Sequence, residues 1–188
     1  WTCQQLSELA QGELLLFSDA DVRWEQTGFR AMVACMQRYR ADTFTVWSTQ
    51  ETVSLAERLV VPLMMFSIIS YLPDVAVRKI PWTSFAAANG QCLAFRREAY
   101  QKIGGHAAVK NEIVEDIVLA KKTKKYGMRL VMALGNGIIH CRMYQNWRQV
   151  REGFAKNILA GHGGKPIFLL ISAVFHWLLF IFHWLWLF

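Results

Sequence analysis

The 188 residues suffice for one domain of moderate size, and their hydrophobic share of 54% exceeds the roughly 45–50% of soluble domains. The formal net charge of +7 is dispersed or sits near an apolar tail, with no basic stripe interleaved with aromatics. This excludes nucleic acid as a partner and leaves an anionic membrane surface or a phosphate-bearing ligand. Cys3, Cys35, Cys92 and Cys141 form no CxxC pair, so zinc has no support from spacing; they read as small buried residues in a reducing compartment.

Both ends read as cut: Trp1 opens inside an apparent helix, and Phe188 stops inside an apolar run. Residues 6–11 close a helix at Gly12. Residues 13–18 (ELLLFS) are a short apolar run, the pattern of a strand buried on both faces. Residues 24–40 have helical spacing, with Phe29, Met32, Val33 and Met36 on one face. Residues 43–48 (TFTVWS) are β-branched and aromatic, hence a second strand. Strand, helix, strand predicts a parallel α/β sheet. Residues 51–72 begin amphipathic and become almost wholly apolar, broken at Pro62 and ended at Pro73. The stretch is short for a membrane span and predicts either an interfacial helix or a buried one. Strands are then expected over 91–96, 129–134 and 138–141, and helices over 97–103, 113–126 and 147–159. Residues 166–188 contain no Asp, Glu, Lys or Arg. About 20 such residues span a bilayer, so a transmembrane helix is expected there. The expected division is a domain over 1–165, lacking its N-terminal part, and a truncated transmembrane helix over 166–188.

Chemistry is concentrated in two acidic motifs. Asp19-Ala20-Asp21 follows the first apolar strand, and ligands in open α/β sheets bind beyond the carboxyl ends of strands. Two carboxylates two apart on an extended segment point the same way. Such a pair suits a hard divalent cation, because Mg²⁺ commonly takes one or two protein carboxylates and keeps its other positions for phosphate. A helix-capping Asp beside a loop Asp is the structural alternative. In Val114-Glu115-Asp116-Ile117, two acids interrupt an apolar helical start. Either they complement the helix N-terminus, or Asp116 is a partly desolvated general base. Asn89-Gly90-Gln91 is by itself a turn signal.

Taken in order, SDAD after an apolar strand, NGQCLAFRREAYQKIGG and VEDIVLAKKTKKYG resemble the family 2 glycosyltransferases. HCRMY…WRQVREGFAKN with an apolar tail resembles their bacterial membrane-bound branch, which includes carotenoid- and lipid-glucosylating enzymes. The resemblance implies a nucleotide-diphospho-sugar transferase (GT-A, Rossmann-like) α/β fold and an inverting, metal-dependent transfer using Mg²⁺ or Mn²⁺. It implies that Asp19 and Asp21 contact the nucleotide and the metal-bound diphosphate, with Asp21 on the metal. Asp116 would deprotonate the acceptor and Glu115 would tune it. Asn89, Gly90 and Gln91 would line the donor and acceptor pocket. Processive relatives carry Gln-x-x-Arg-Trp; here Gln145 and Arg148 keep the first part, but Gln149 replaces the Trp. The incomplete match counts against a polysaccharide synthase, although Arg148 or Arg151 could still hold a diphosphate bidentately; a solvated helix face is the alternative. The expected partners are a nucleotide-sugar donor, a lipid-like acceptor and the cell membrane, with the catalytic domain cytoplasmic. Two other readings stay open: a polysaccharide synthase-type enzyme, and an inactive membrane scaffold that keeps the fold. A haloacid dehalogenase-type phosphatase is disfavoured because Arg23 stands where that chemistry places Thr or Val.

Overall fold

The computed structural model describes residues 2–161 and 164–185. It divides into two compact units, Trp1–Asn146 and Trp147–Phe188.

The first unit begins with helix α1 (Thr2–Leu9) and strand β1 (Leu14–Ser18). A short strand β2 (Val22–Trp24) precedes helix α2 (Gly28–Arg38), where sequence spacing alone had suggested helix from Trp24. Strands β3 (Thr43–Trp47) and β4 (Thr49–Gln50) lead into helices α3 (Leu55–Tyr71) and α4 (Asp74–Lys79). Strand β5 (Cys92–Arg96), helices α5 (Arg97–Lys102) and α6 (Glu115–Lys125), and strands β6 (Leu130–Leu134) and β7 (Ile139–Cys141) complete it.

The main sheet has the order β1-β5-β3-β6. It is mixed, which corrects the expected parallel sheet. β3 and β6 are parallel, but β5 lies between β1 and β3 and is antiparallel to both. Strands β1, β3 and β6 therefore run one way, and the amino end of β5 meets their carboxyl ends. The strand-helix-strand order revealed the common direction of β1 and β3 but not the inserted reverse strand, whose partner lies some fifty residues away in sequence. At that same end each of the three strands continues into a small second sheet of order β2-β7-β4. β1 passes into β2, β3 into β4 and β6 into β7.

β1 is an edge strand among the described residues and only Leu15 in it is buried, not both faces as its apolar run implied. The core lies on both faces of the central strands. One cluster includes Phe95, Leu93, Leu119 and Leu130, and the other includes Met36, Phe44 and Val131. Phe95 is fully buried, with its ring edge-on to Tyr100 at 5.3 Å. Truncating a buried Phe removes transfer free energy and leaves a void, so Phe95→Ala is expected to lose about 3–5 kcal/mol. Chemical denaturation measures this, and a loss below about 1 kcal/mol would show that the core is not centred there.

Helix α3 starts with a reciprocal cap. The Ser54 hydroxyl accepts from the Glu57 N–H, and Glu57 in turn accepts from the Ser54 N–H at 3.2 Å. The helix runs through Pro62 rather than breaking there, which corrects the sequence reading. One side packs Val61, Met64, Met65 and Ile68 on the core, while Leu55, Leu59, Leu63 and Phe66 remain exposed on the other. Glu57 is buried and held by Arg142 in a two-pronged pair at 3.2 and 3.3 Å. The Arg142 guanidinium, then the Ser54 hydroxyl, hold its carboxyl down at about 2. A depressed acid stabilises the fold above its unfolded value near 4.5, and that contribution fades as pH falls through about 2. Glu57→Gln is therefore expected to melt below the wild type at pH 7, with the gap narrowing toward pH 3. A gap independent of pH would place the effect elsewhere.

The second unit contains helix α7 (Trp147–Gly161) and helix α8 (Pro166–Trp177). After Trp177 the chain changes to π-helical register over Leu178–Phe182, and a last turn spans His183–Leu185. The expected transmembrane span over 166–188 is not supported. The α-helical part is twelve residues long, about 18 Å at 1.5 Å per residue, against the roughly 30 Å of a bilayer core. Among the described residues no helix is long and apolar enough to cross a membrane; residues 186–188 lie outside them.

Candidate active site

The change of sheets assembles the site. Asp19-Ala20-Asp21 forms the turn between β1 and β2, closed by the Val22 N–H donating to the Asp19 carbonyl at 3.2 Å. The two acids therefore sit on a turn rather than on the extended segment expected. The Asp19 N–H donates to the Gln91 carbonyl at 3.4 Å, tying this turn to the residues that open β5. The neighbouring Gly90 N–H donates to Asp116 Oδ2 at 2.9 Å. A Cβ on Gly90 would lie 3.6 Å from that oxygen, so the backbone approaches the carboxylate closely.

Three segments far apart in sequence thus meet at a cleft of about 450 Å³, lined in part by Asp19, Gly90, Glu115, Asp116 and His106. Helix α1 supplies another wall through Cys3, Leu6 and Ser7, a contribution its generic sequence did not signal. Glu115 and Asp116 are the first two residues of α6. Glu115 is exposed and Asp116 half-buried. Burial pushes the Asp116 carboxyl above its ordinary value, the N–H groups of Ile117 and Gly90 draw it back, and Glu115 adds a raising field. Asp19 is also raised, first by partial desolvation and then by the charges of Asp21 and Glu115.

Beneath the cleft lies a buried polar network. The Gln91 side-chain oxygen accepts from Ser48, from Gln50 at 2.9 Å and from Asn89 at 3.3 Å, while its amide nitrogen donates to Cys141 Sγ at 3.3 Å. Asn89 closes the turn by accepting from the Gln91 N–H at 3.1 Å, and its own N–H donates to Thr45 at 2.9 Å. The side chains of Asn89 and Gln91 therefore hold the Gly90 backbone in place, and Gly90 alone of the three lines the cleft. The Cys141 thiol is pushed up to about 12, first by burial and then by the nearby Asp21 carboxylate. His106 shares a hydrogen bond with the Tyr100 hydroxyl at 2.8 Å and packs on Phe17; burial lowers its affinity for a proton. Gly105 permits this arrangement. It sits at φ +53°, and a Cβ there would lie 2.6 Å from the Tyr100 ring. Arg148 lies in the second unit and pairs with Glu152 at 2.9 Å on α7.

No group of three His, Cys, Asp or Glu side chains among the described residues forms a cage for a metal ion. The donor set nevertheless fits a hard cation shared with a phosphate ligand. Asp19 and Asp21 are close enough for one to raise the other, and no Lys or Arg lines the cleft among the described residues. A diphosphate would meet three carboxylates there, a repulsion that a bridging divalent cation removes.

A mixed α/β fold that brings Asp19 and Asp116 to one cleft fits a glycosyltransferase domain. The family model for glycosyl transferase family 21 matches residues 2–143, and the chain belongs to that family. The match establishes a glycosyltransferase, which uses a sugar donor and an acceptor; it does not carry the narrower resemblance to family 2 and its carotenoid- and lipid-glucosylating branch. No curated protein matches the chain.

Proposed function

We propose that this chain carries the catalytic centre of an inverting glycosyltransferase that moves a sugar from a nucleotide-sugar donor to a membrane-associated, lipid-like acceptor. The observation that carries this reading is Asp116, half-buried at the start of α6 and hydrogen-bonded to the Gly90 N–H, in one cleft with Asp19 and Glu115. In the proposed reaction the acceptor hydroxyl attacks the anomeric carbon from the face opposite the leaving nucleoside diphosphate. Asp116 removes the hydroxyl proton as the new bond forms. Glu115 keeps the Asp116 carboxyl basic through its charge. Asp19 and Asp21 hold the diphosphate end, with Asp21 as the protein ligand of Mg²⁺ or Mn²⁺. The cation, when bound, would act as a Lewis acid on the departing phosphate oxygens.

Membrane association is supported by the exposed side of α3, where Leu55, Leu59, Leu63 and Phe66 face outward, and by the apolar residues 166–185. A cytoplasmic catalytic domain is supported by the basic surplus of residues 142–165, where Arg142, Arg148, Arg151, Lys156 and Lys165 stand in a stretch whose one acid is Glu152. Labelling a cysteine engineered beside Lys156 with an impermeant reagent should fail in intact cells; efficient labelling would reverse the orientation. The reaction itself is tested by mass spectrometry of lipids from cells expressing the protein and from cells expressing Asp116→Asn. A glycosylated lipid is expected in the first alone, and its absence from both would overturn the lipid acceptor.

A further inference from the structure

Cys141 occupies the middle of the small sheet. It pairs with Val22 of β2 on one side and with Gln50 of β4 on the other. Its carbonyl also accepts from the Glu51 N–H at 2.8 Å. Val22 directly follows Asp21. The Gln50 side chain donates to Gln91 Oε1 at 2.9 Å, and the Gln91 amide nitrogen donates back to Cys141 Sγ at 3.3 Å. The place of this one residue therefore bears on the donor turn and on the turn that presents Gly90 to Asp116.

Strand β7 ends at Cys141. The next residue, Arg142, reaches Glu57 in the first turn of α3, with Nε on Oε2 at 3.2 Å and Nη2 on Oε1 at 3.3 Å. Glu57 is itself fixed. It is 1% exposed and accepts from the Val53 and Ser54 N–H groups at 2.9 and 3.2 Å. A planar guanidinium held by both carboxylate oxygens sets direction as well as distance. The end of β7 is thus pinned to a helix that packs on the core. We propose that Glu57 and Arg142 are positioning residues for donor binding: their clasp holds Cys141, and through the pairing of Cys141 with β2 it holds Asp21 where a metal-bound diphosphate would meet it. This role rests on the donor contact proposed above for Asp21. Neither Glu57 nor Arg142 lines the acidic cleft, so their effect on donor binding travels through the small sheet.

The test is calorimetric titration of the full chain, in Mg²⁺, with whichever of uridine, guanosine, adenosine and thymidine diphosphate the wild type binds most tightly. Arg142→Met and Glu57→Gln should each raise Kd about tenfold, the low end of the range for groups standing behind a metal ligand. The double variant should be no weaker than the weaker single one, because either change opens the same clasp. Arg142→Lys keeps the charge but not the two-pronged geometry and should weaken binding as well. Calorimetry separates positioning from stability. A pair that only holds the fold together would lower the bound stoichiometry as protein unfolds and leave the Kd of the folded remainder unchanged. A wild-type Kd in Glu57→Gln and Arg142→Lys overturns the proposal, even if Arg142→Met fails to fold. Asp21→Asn is measured alongside. If it abolishes binding while the clasp variants bind as the wild type does, the clasp alone is refuted. If Asp21→Asn binds normally, or no diphosphate binds the wild type, the donor contact and the clasp fall together.

Discussion

Asp116→Asn is expected to slow glycosyl transfer by at least about a hundredfold while leaving donor affinity near that of the wild type. Removing a proton in the transition state typically contributes about 10²–10⁴-fold, and the substitution deletes the base without touching Asp19 or Asp21. Asn keeps an oxygen to accept from the Gly90 N–H, which donates to Asp116 at 2.9 Å, so the turn ahead of β5 should survive. The loss should appear in kcat rather than in donor binding. Glu115→Gln should cost less, because it withdraws a field and leaves the base. The pH profile gives an independent check. Burial raises the Asp116 carboxyl, so the acid limb of the wild-type rate should lie above the ordinary carboxylate value of 3.8, with rate falling as pH drops through it. A role confined to the charge of the helix start predicts otherwise: a stability loss of up to about 1 kcal/mol with turnover nearly intact. Near-normal transfer by Asp116→Asn, with a lowered melting temperature, would select that reading.

Asp21→Asn is expected to abolish Mg²⁺- or Mn²⁺-dependent binding of a nucleoside diphosphate, measured by calorimetry on the full-length protein. Asp21 lies on the turn where β1 leaves the main sheet for β2, near enough for its charge to raise the Cys141 thiol. Its partner Asp19 feels its charge. Without Asp21 the cation would lose the protein carboxylate proposed to hold it, and with it the bridge to the diphosphate would weaken. Asn preserves the side-chain shape, so the melting temperature should change little. Unchanged metal-dependent affinity would remove Asp21 from donor binding and return the pair to a turn-stabilising role.

The acidic motifs were visible because their chemistry is local: two acids directly after an apolar strand, and two more cut into an apolar helical start. The placement of Asn89 and Gln91 was not. Both read as pocket residues, yet their side chains are buried beneath the cleft and engaged with Thr45, Ser48, Gln50 and Cys141. Those partners come from β3, β4 and β7 or the residues beside them, and no periodicity within a single segment encodes such a convergence. His106 lies just past the helix expected over 97–103, and only its packing on Phe17 places it at the cleft. The apolar character of 166–188 was read as a single span. Hydropathy reports composition, whereas the change to π register after Trp177 depends on backbone geometry that composition does not specify.

By itself, the sequence determined the α/β class, the positions of most strands and helices, and the identity of the acids that carry the proposed chemistry. These follow from alternation, helical spacing and residue type, all of which act over a few neighbouring residues. The tertiary structure decided that β5 runs against its neighbours, that three strands turn together into a second sheet, and that Asp19, Gly90 and Asp116 share one cleft. These are consequences of pairing between segments about 25 to 120 residues apart, which hydrogen bonding and burial settle only once the whole chain has closed around its core.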